Sequence, residues 1–505
     1  MGLLNEVLSF FMKRRIERIE HFRAYPIETQ QEVFTELIGA AKGTEWGKKY
    51  DYSSIKTIAD YQDRVPVSSY EDFFPYIERN LRGEQNILWP SDINWFSKSS
   101  GTTNARSKYL PVSSESLEKS HFRGGKDIMT LMLENKPDSK LYDGKALSIG
   151  GALHPNPYNT NTFVGDVSAV ITKNLPTWAD YIRTPSMEIA LLDNWEEKME
   201  RMIETCSQEN VTSILGVPTW TVVLLENIME RTGAKNMLEV WPNFEFFIHG
   251  AVNFQPYRQL FTERLFPSSQ VNYLETYNAS EGFFGVQDDL AKVGEMLLML
   301  DYGIFYEFIP MDSNNNELPV VLTLDQVKLD TNYALLISTN AGLWRYRIGD
   351  TIKFTSLYPF RIKVSGRTKH FINAFGEEVI IENAEAAITA ASQVTGAIIS
   401  DYTAGPVYME NNQKGRHEWI VECRVAPSSE AEFIHTLDQT LREVNSDYDA
   451  KRFKDMALLP PLVHFVPSGT FYNWMQKRGK LGGQHKVPRL TNSREYVEQL
   501  LELIE

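Results

Sequence analysis

Apolar residues recur at helical spacing through the first part of the chain, up to about residue 90. Over residues 27–38 they fall on one face of a helix, and Ser69, followed by acidic residues, suits the start of another. A further capped helix is predicted from Ser113, and it carries His121 and Arg123. The N-terminal region is therefore predicted to be mostly helical and to cover a larger core.

From residue 145 onwards a different pattern begins. Residues 145–151, 211–216 and 244–251 each form an apolar stretch of strand length that ends in a turn of glycine or other small residues. Helices are predicted behind the second and third turns, and residues 271–282 then lead into a β-rich stretch. This alternation is typical of a parallel or mixed sheet whose ligand sites lie at the carboxyl ends of its strands.

Short apolar stretches separated by polar turns follow, up to about residue 356. Several short strands joined in this way predict a small antiparallel sheet or barrel. After residue 358 the pattern changes to a strand pair around residues 371–379, three helices and single strands between them. We therefore expect an N-terminal domain over residues 1–358 and a smaller C-terminal α/β domain over residues 359–505.

The amino-acid composition limits the classes of molecule that the protein is expected to bind. The chain has 51 lysines and arginines against 66 aspartates and glutamates, a formal charge of −15, so its overall field repels nucleic acids and anionic membranes. No apolar run reaches the ~18 residues of a membrane span, and the N-terminus lacks the order of charges of a signal peptide. Two distant cysteines, Cys206 and Cys423, suit buried thiols in a reducing compartment. These features predict a cytoplasmic protein with no nucleic-acid or membrane partner and indicate no obligate protein partner.

A run of small hydroxyl residues surrounds a glycine, with a lysine close behind: Ser99, Ser100, Gly101, Thr102, Thr103 and then Lys108. Such a backbone approaches a phosphate closely and supplies N–H and O–H donors to its oxygens. The run is not a Walker loop, because no second glycine directly precedes the lysine and no Ser or Thr follows it. Taken alone, it is more often an ordinary polar loop.

Two acidic residues and a lysine elsewhere fit the same chemistry. Glu281 lies in a predicted turn after a strand, where a carboxylate suits a Mg²⁺ that bridges phosphates. Asp350, after a strand and a glycine, suits two hydrogen bonds from ribose hydroxyls. Lys486, in a glycine-containing segment, suits the neutralisation of charge on a reacting phosphate. Each is a common turn or surface residue when taken singly, so it is their combination with the hydroxyl-rich loop that predicts a nucleotide site.

Three motifs in this order resemble those of a known family. Residues 99–103 with 108–111 resemble the first nucleotide motif of the plant auxin-inducible Gretchen Hagen acyl-acid amido synthetases and their bacterial relatives. Residues 277–281 resemble the second motif and residues 346–350 the third. Residues 366–379 and 484–489 are similar to the hinge and the C-terminal lysine segment of that family. The likeness runs over nearly the whole chain, which is identified as a bacterial member of the family.

The resemblance extends to the broader adenylate-forming enzymes and implies their α/β fold. This fold has a large N-terminal domain of two mixed sheets with helices plus a small β-barrel, and a mobile C-terminal α/β domain. It implies ATP and Mg²⁺ as cofactors, with Glu281 holding the metal, Lys486 serving adenylation and Lys369 at the hinge. The residues implied to bind the nucleotide are Ser99, Ser100, Gly101, Thr102, Thr103, His249, Gly250, Ala251, Thr276, Tyr277, Asp350 and Arg367.

The acyl substrate is expected between the helix that carries Arg123 and the turn over residues 216–220. Arg123, Val217 and Trp220 are the candidate residues, although an arginine on a helix is more often part of a structural or surface ion pair. The second motif has Asn278 and Ala279 where the plant enzymes usually carry a smaller residue followed by serine. The plant enzymes are also longer, so their acyl pocket need not transfer.

The implied reaction has two steps. A carboxylic acid is adenylated by ATP with release of pyrophosphate, and the acyl group then passes to an amine, expected to be an amino acid, with release of AMP. Two alternatives stay open: thioester formation with coenzyme A, and a nucleotide-binding sensor without turnover. The sensor predicts tight ATP or AMP binding without pyrophosphate release.

Overall fold

The computed structural model describes residues 14–99, 108–252, 254–311, 313, 319–367, 371–409, 414–478 and 489–504. The α-helices within these ranges are α1 (14–24), α2 (Pro26–Ala41), α3 (Glu45–Lys49), α4 (Ile58–Arg64), α5 (Tyr70–Leu81), α6 (Ser114–Ser116), α7 (Phe122–Asn135), α8 (Val167–Lys173), α9 (Met187–Ala190), α10 (Trp195–Cys206), α11 (Pro218–Thr232), α12 (Gln255–Gln259), α13 (Ile381–Thr395), α14 (Glu430–Val444), α15 (Ser446–Arg452), α16 (Thr470–Lys477) and α17 (Glu495–Ile504). A π-helical turn, Leu117–His121, joins α6 to α7, and a second one, Leu260–Leu265, extends α12.

The described strands divide among four sheets. They are β1 (Trp95–Ser99), β2 (Lys108–Val112), β3 (Lys145–Ser148), β4 (Leu153–Asn156), β5 (Asn159–Gly165), β6 (Arg183–Thr184), β7 (Val211–Gly216), β8 (Phe246–His249), β9 (Asn272–Ala279), β10 (Gly282–Val286), β11 (Met296–Leu298), β12 (Ile304–Pro310), β13 (Asn332–Thr339), β14 (Tyr346–Leu357), β15 (Phe360–Arg367), β16 (Phe371–Ile372), β17 (Val379–Ile380), β18 (Ile398–Val407), β19 (Arg416–Val425) and β20 (Leu462–Pro467). The mixture of helices and sheets confirms the predicted α/β class.

The largest sheet has eleven strands in the order β12-β13-β14-β15-β11-β10-β9-β8-β7-β3-β6. Strands β6, β3, β7, β8 and β9 run parallel, and the remaining strands pair antiparallel. Strand β8 is buried along its whole length, as expected for a parallel strand covered on both faces. Because β7, β8 and β9 are in register at Gly216, His249 and Glu275, their carboxyl ends lie side by side.

The expected small barrel is not confirmed. Strands β11 to β14, from which it was to be built, are all part of the large sheet, and none of the sheets in the described ranges closes on itself. The reason is that β15 pairs with β11 as well as with β14, which joins the antiparallel strands to the parallel ones.

A second sheet has four strands, in the order β2-β1-β5-β4, and contains the residues just before and just after the hydroxyl-rich run. Strands β1 and β2 form an antiparallel pair in which Ser99 lies opposite Lys108. Strands β1 and β2, which are consecutive in the chain, therefore form a β-hairpin. Strand β5 joins β1 in parallel, and β4 returns antiparallel to β5.

The C-terminal region is a smaller α/β unit, as predicted. It has a three-stranded sheet, β18-β19-β20. Helix α17 packs on β18 and β19 and also contacts α16, while α13 and α14 pack against each other. The boundary expected at residue 358 falls in the turn of the β14–β15 hairpin, and β15 remains in the large sheet. The chain therefore leaves that sheet only after Arg367.

Two large hydrophobic clusters stabilise the molecule. The first packs the N-terminal helices against the antiparallel strands, with Trp46, Tyr61 and Trp344 almost fully buried. The second includes Phe247 and Phe261 beside β8 together with Phe375 from the C-terminal region. Since one cluster spans both regions, the C-terminal unit packs directly on the helical face of the parallel sheet.

The two thiols follow the sequence expectation, because Cys206 and Cys423 are both buried and unbridged. Among the described helices, none has the length and apolar character needed to cross a membrane.

A buried ion pair fixes the strand turn just before the third motif. Arg345 Nε donates to Glu307 Oε2 at 3.0 Å, and Arg345 Nη1 donates to the carbonyls of Gln62 and Val65. Both charged side chains are at most 5% exposed. Arg345→Met would leave the buried carboxylate of Glu307 without its cation, with only the hydrogen bond from Gln62 Nε2, and would remove the donor to two carbonyls. We expect a loss of about 3–5 kcal/mol, seen as a clear drop in the midpoint of thermal unfolding.

The exposed pair between Arg79 and Glu45 provides the matched control. Arg79→Met removes a bidentate pair whose side chains are 39% and 46% exposed, so we expect a loss below about 1 kcal/mol. Equal midpoints for the two variants would contradict the structural role assigned to Arg345.

Candidate nucleotide and acyl-substrate site

Two turns and one strand meet at the carboxyl edge of the parallel strands. The turn after β7 begins at Gly216, the turn after β8 is His249-Gly250-Ala251, and β9 carries Thr276 and Tyr277 at the same level. Consecutive parallel strands are joined by helices that cross over the sheet. Each strand therefore leaves the sheet through a turn at its carboxyl end, and these turns lie at the same edge. The structure thus brings together the candidates on the large sheet that sequence reasoning selected.

Close backbone packing holds the turn after β8. A Cβ atom on Gly250 would lie 2.6 Å from the carbonyl oxygen of Thr276, and the Thr276 hydroxyl donates to the carbonyl of His249 at 3.2 Å. Ala251 has a φ of +69°, a left-handed conformation that is uncommon for a residue with a side chain. The turn is therefore fixed in place against β9 and is strained at Ala251.

We expect Gly250→Ala to disturb this turn. The added methyl group meets a backbone oxygen that cannot rotate away, so the turn or β9 must move, at a cost of about 1–3 kcal/mol. The expected result is weaker nucleotide binding, measured by titration calorimetry, together with a lower unfolding midpoint. Gly39→Ala, where the space around the new Cβ is open, is the control. Binding that is equal in the two variants would show that the close approach of Gly250 is unimportant.

His249 is a buried neutral imidazole. Burial, and then the positive charge of Arg258, lower its pKa to about 3. Its ring stacks on Phe254 with centroids 4.0 Å apart, and its Nδ1 atom has no hydrogen-bond partner among the described residues. The turn therefore carries a flat, uncharged ring with an unused polar nitrogen, which suits the edge of a nucleobase better than a phosphate.

The second motif is a tight hairpin. Ala279 of β9 pairs with Gly282 of β10, so Ser280 and Glu281 form the turn between the two strands. In the described ranges no group of three or more side chains of the kinds that bind metals is gathered in one place. Glu281 would therefore hold a Mg²⁺ together with phosphate oxygens rather than in a site made by the protein alone, as this cation prefers.

A direct hydrogen bond joins the second and third motifs. The Tyr277 hydroxyl donates to Asp350 Oδ2 at 2.5 Å, and Asp350 is only 7% exposed. Asp350 also lies opposite Arg367 in the register of β14 and β15. The ring of Tyr277 and the carboxylate of Asp350 thus form one unit, with an aromatic face beside a hydrogen-bond acceptor.

A local irregularity of β14 presents Asp350 to this unit. The strand advances from Arg347 to Thr351 while its partner advances only from Ala334 to Leu336, so β14 carries a bulge. Gly349 lies in the bulge with a φ of +96°, which favours glycine. The left-handed backbone conformation at position 349 thus favours the glycine that precedes Asp350.

Strand β2 and the third motif both contact residues at or just before the start of α5. The Tyr109 amide, at the base of the β1–β2 hairpin, donates to the Tyr70 hydroxyl at 2.8 Å. Ser68, just before α5, exchanges backbone hydrogen bonds with Arg345 and Arg347. The base of the hairpin, at Ser99 and Lys108, and the third motif therefore lie at the same end of α5.

Several predicted residues lie outside the described residues, and their positions are untested: Ser100, Gly101, Thr102, Thr103, Lys369 and Lys486. Arg367 is the last residue of β15.

The acyl candidates separate into two places. Val217 and Trp220 lie at the start of α11, beside the turn after β7. Arg123 Nη1 instead donates to the carbonyl of Asp301 at 2.7 Å and lies 3.5 Å from its carboxylate. The described contacts of Arg123 are therefore those of an ion-pair residue between α7 and the antiparallel strands, not of a residue at the β7 turn.

A segment of the C-terminal region covers the strand-end turns. The Asn373 side chain donates to the carbonyl of Ala251 at 3.2 Å, and the Tyr257 hydroxyl donates to the carbonyl of Ala374 at 2.7 Å. A Cβ atom on Gly376 would lie 3.8 Å from Val217. Residues 373–378 therefore face both the β8 turn and the β7 turn.

Sequence reasoning missed two polar residues at this position, Asn373 and Lys451. Lys451 lies on α15 with its ammonium group 4.3 Å from the ring centroid of Trp220. Its helix is rich in charged residues and is typical of a solvated surface in the sequence. Only the packing of the C-terminal region on the large sheet buries it.

Sequence profiles of the GH3 family match most of the chain. The profile of the GH3 N-terminal domain matches residues 15–271, that of the central domain residues 297–367 and that of the C-terminal domain residues 382–495.

Curated relatives match along nearly their whole length. The indole-3-acetic acid-amido synthetase GH3.4 of Arabidopsis thaliana is 22% identical, over 97% of this chain and 93% of its own. The 4-substituted benzoates-glutamate ligase GH3.12 of the same plant is 23% identical, over 86% of this chain and 87% of its own. The bacterial origin expected from the sequence receives no support from these plant relatives.

Solved structures share the fold. The GH3.15 acyl acid amido synthetase superposes with a TM-score of 0.61 at 18% identity, covering 96% of this chain and 95% of that one. A 2-hydroxyisobutyryl-CoA ligase superposes with a TM-score of 0.56 at 12% identity, covering 94% of this chain and 91% of that one. With the three profiles matched in order across sheet, motifs and C-terminal unit, the chain belongs to the GH3 family.

Proposed function

We propose that this chain is an acyl-acid amido synthetase. It adenylates a carboxylic acid with ATP, releasing pyrophosphate, and then transfers the acyl group to an amino acid, releasing AMP. The observation that carries the proposal is the contact between Tyr277 and Asp350, which joins two motifs at the edge of the parallel strands. Full-length GH3 relatives named as amido synthetases support the same reaction.

The nucleotide occupies the edge where the turns after β7 and β8 meet β9. Its adenine lies against Tyr277 and the His249-Gly250-Ala251 turn, where His249 Nδ1 has hydrogen-bonding capacity to spare. Its ribose hydroxyls donate to Asp350, with Arg367 on the neighbouring strand. The hydroxyls and amides of residues 99–103, which follow β1 in the chain, hold the phosphates.

The first step needs charge neutralisation more than proton transfer, because a carboxylate attacks the α-phosphate and pyrophosphate leaves. Lys486 neutralises the charge that develops there. Glu281 would hold a Mg²⁺, which would supply further neutralisation of the phosphate charge. In the second step an amine attacks the acyl carbon and AMP leaves, since AMP is a much better leaving group than the oxygen of a free carboxylate.

The acid lies beside Val217 and Trp220, at the start of α11. Both side chains are apolar and partly buried, and both pack against the second hydrophobic cluster. Because the Arg123 guanidinium already binds Asp301, we assign it no contact with the acid. An acid with an aromatic or aliphatic body fits such a wall.

A product assay tests the proposal against its rivals. Purified protein is incubated with MgATP and a panel of aromatic and aliphatic acids, each with amino acids, with coenzyme A, or with neither. We expect pyrophosphate release with a subset of acids and an amide only where an amino acid is present. A thioester as the main product would favour a coenzyme A ligase, and tight ATP binding without pyrophosphate from any acid would favour a sensor.

A further inference from the structure

A buried lysine of the C-terminal region has no role in the steps described above. Lys451, on α15, is only 6% exposed. Its ammonium group lies over the Trp220 ring at 4.3 Å from the centroid, and a Cβ atom on Gly376 would lie 3.5 Å from Nζ. The side chain therefore points from the C-terminal region towards the turn after β7, where the acid is proposed to bind.

The hydrogen-bond donors of this ammonium group are unused. In the ranges that the structure describes, no oxygen accepts a hydrogen bond from Lys451 Nζ, and no carboxylate lies within the 4 Å of an ion pair. A buried cation without an oxygen partner is costly, and a π face compensates only part of that cost. A ligand with a carboxylate would supply the missing acceptor.

Three carboxylates lie further away and shape the charge around the lysine. Asp447 is one turn earlier on α15, Glu377 already pairs with His417, and Asp166 accepts from the amide of Ala152. Burial lowers the pKa of Lys451 to about 8, and these carboxylates oppose that decrease. The site therefore combines one cation that lacks an acceptor with several carboxylates around it. A zwitterion matches this arrangement, because its carboxylate would face the lysine and its ammonium group the carboxylates.

We propose that Lys451 binds the carboxylate of the acceptor amino acid during amide formation. The inference rests on the proposed function and extends it, because it gives the second substrate a site at the contact between the C-terminal region and the β7 turn. Trp220 then has apolar contact with the acyl group and a cation–π contact with the lysine. The acidic surroundings attract the ammonium group of the same amino acid.

The test compares two acceptors in the second step. Wild type, Lys451→Met and Lys451→Arg are given MgATP and an acid that supports pyrophosphate release, then either an amino acid or hydroxylamine. Hydroxylamine attacks the acyl-adenylate but has no carboxylate. We expect Lys451→Met to raise the KM for the amino acid by about 10- to 100-fold and to leave hydroxamate formation unchanged. Lys451→Arg should restore much of the lost affinity, because it keeps the charge.

Each other outcome overturns the proposal. Equal loss with both acceptors would mean that Lys451 only holds the C-terminal region in place. A loss of kcat that Lys451→Arg does not restore, at unchanged KM, would mean that the lysine takes a proton from the acceptor. An unchanged KM in Lys451→Met would mean that the carboxylate binds elsewhere.

Two controls distinguish these outcomes from a non-specific effect of removing a lysine and from loss of folding or of the first step. Lys454→Met changes an exposed lysine three residues further on, paired with Glu196, and should leave both acceptors unaffected. Acid-dependent pyrophosphate release by Lys451→Met, at the wild-type rate, shows that the variant is folded and that the first step is intact. Absence of that release in the wild type would contradict the proposed function and not the assignment of Lys451.

Discussion

Replacing Asp350 with alanine is expected to raise the KM for ATP by about 100-fold. Two hydrogen bonds from ribose hydroxyls to one carboxylate are charge-assisted, and each contributes about 1.5–3 kcal/mol. The carboxylate is held in position by Tyr277 and by the bulge at Gly349. The two ribose hydrogen bonds are made equally to bound ATP and to the transition state, so kcat should change less than KM. Initial rates of pyrophosphate release over a range of ATP concentrations measure both.

Tyr277→Phe is the matched control for this prediction. It removes the same hydrogen bond inside the protein but leaves the carboxylate and the aromatic ring in place. We expect it to raise the KM for ATP by less than about 10-fold. Unchanged nucleotide affinity in Asp350→Ala would refute the ribose role. Equal effects of the two variants would assign Asp350 to holding Tyr277 rather than to binding ribose.

The second large effect is expected for Lys486→Ala. Removal of a cation aimed at charge that develops in the transition state costs about 10²- to 10³-fold in rate. Adenylate formation should slow by this amount, whereas amide formation from a chemically supplied acyl-adenylate should remain near the wild-type rate. Single-turnover measurements of pyrophosphate release and of amide formation separate the two steps.

Lys477→Ala is the control, since this lysine ends α16 shortly before the same segment. It should leave both steps unchanged. An equal loss in both steps for Lys486→Ala would mean that the lysine does not act in adenylation alone. It would also argue against the expected movement of the C-terminal domain between the two steps.

The parallel part of the large sheet could be predicted because local pattern and final environment agree there. The stretches that become β7 and β8 are apolar and end in glycine or small residues, and buried parallel strands require this. Their order along the chain then brings Gly216, His249 and Thr276 to one edge. The turn at Glu281 and the glycine before Asp350 follow from short-range backbone preferences in the same way.

The four-stranded sheet was missed for the opposite reason. Strands β1 and β2 are short, and β2 contains Pro111, which is unfavourable in the interior of a sheet. Strand β1 is stabilised by pairing with β5, more than fifty residues later. Such long-range pairing leaves no periodic signal in the sequence. The expectation of a separate barrel failed similarly, because only the pairing of β15 with β11 shows that the two halves are one sheet.

Side-chain partners were the least predictable part of the site. Arg123 could equally pair with a substrate or with a protein carboxylate, and only the position of Asp301 distinguishes the two. Lys451 lies on a charged helix, and its burial depends on Trp220, which is more than two hundred residues away. The sequence therefore identifies the motifs, and the tertiary packing identifies which charges remain available to a substrate.

Acid-dependent exchange of labelled pyrophosphate into ATP tests the central claim most directly. Exchange requires only the first step and its reversal, so it needs no knowledge of the acceptor. We predict exchange that depends on MgATP and on particular carboxylic acids, and that is strongly reduced in Asp350→Ala at ATP concentrations near the wild-type KM. Exchange that is absent with every acid of a broad aromatic and aliphatic panel, by protein that binds ATP, would contradict the account.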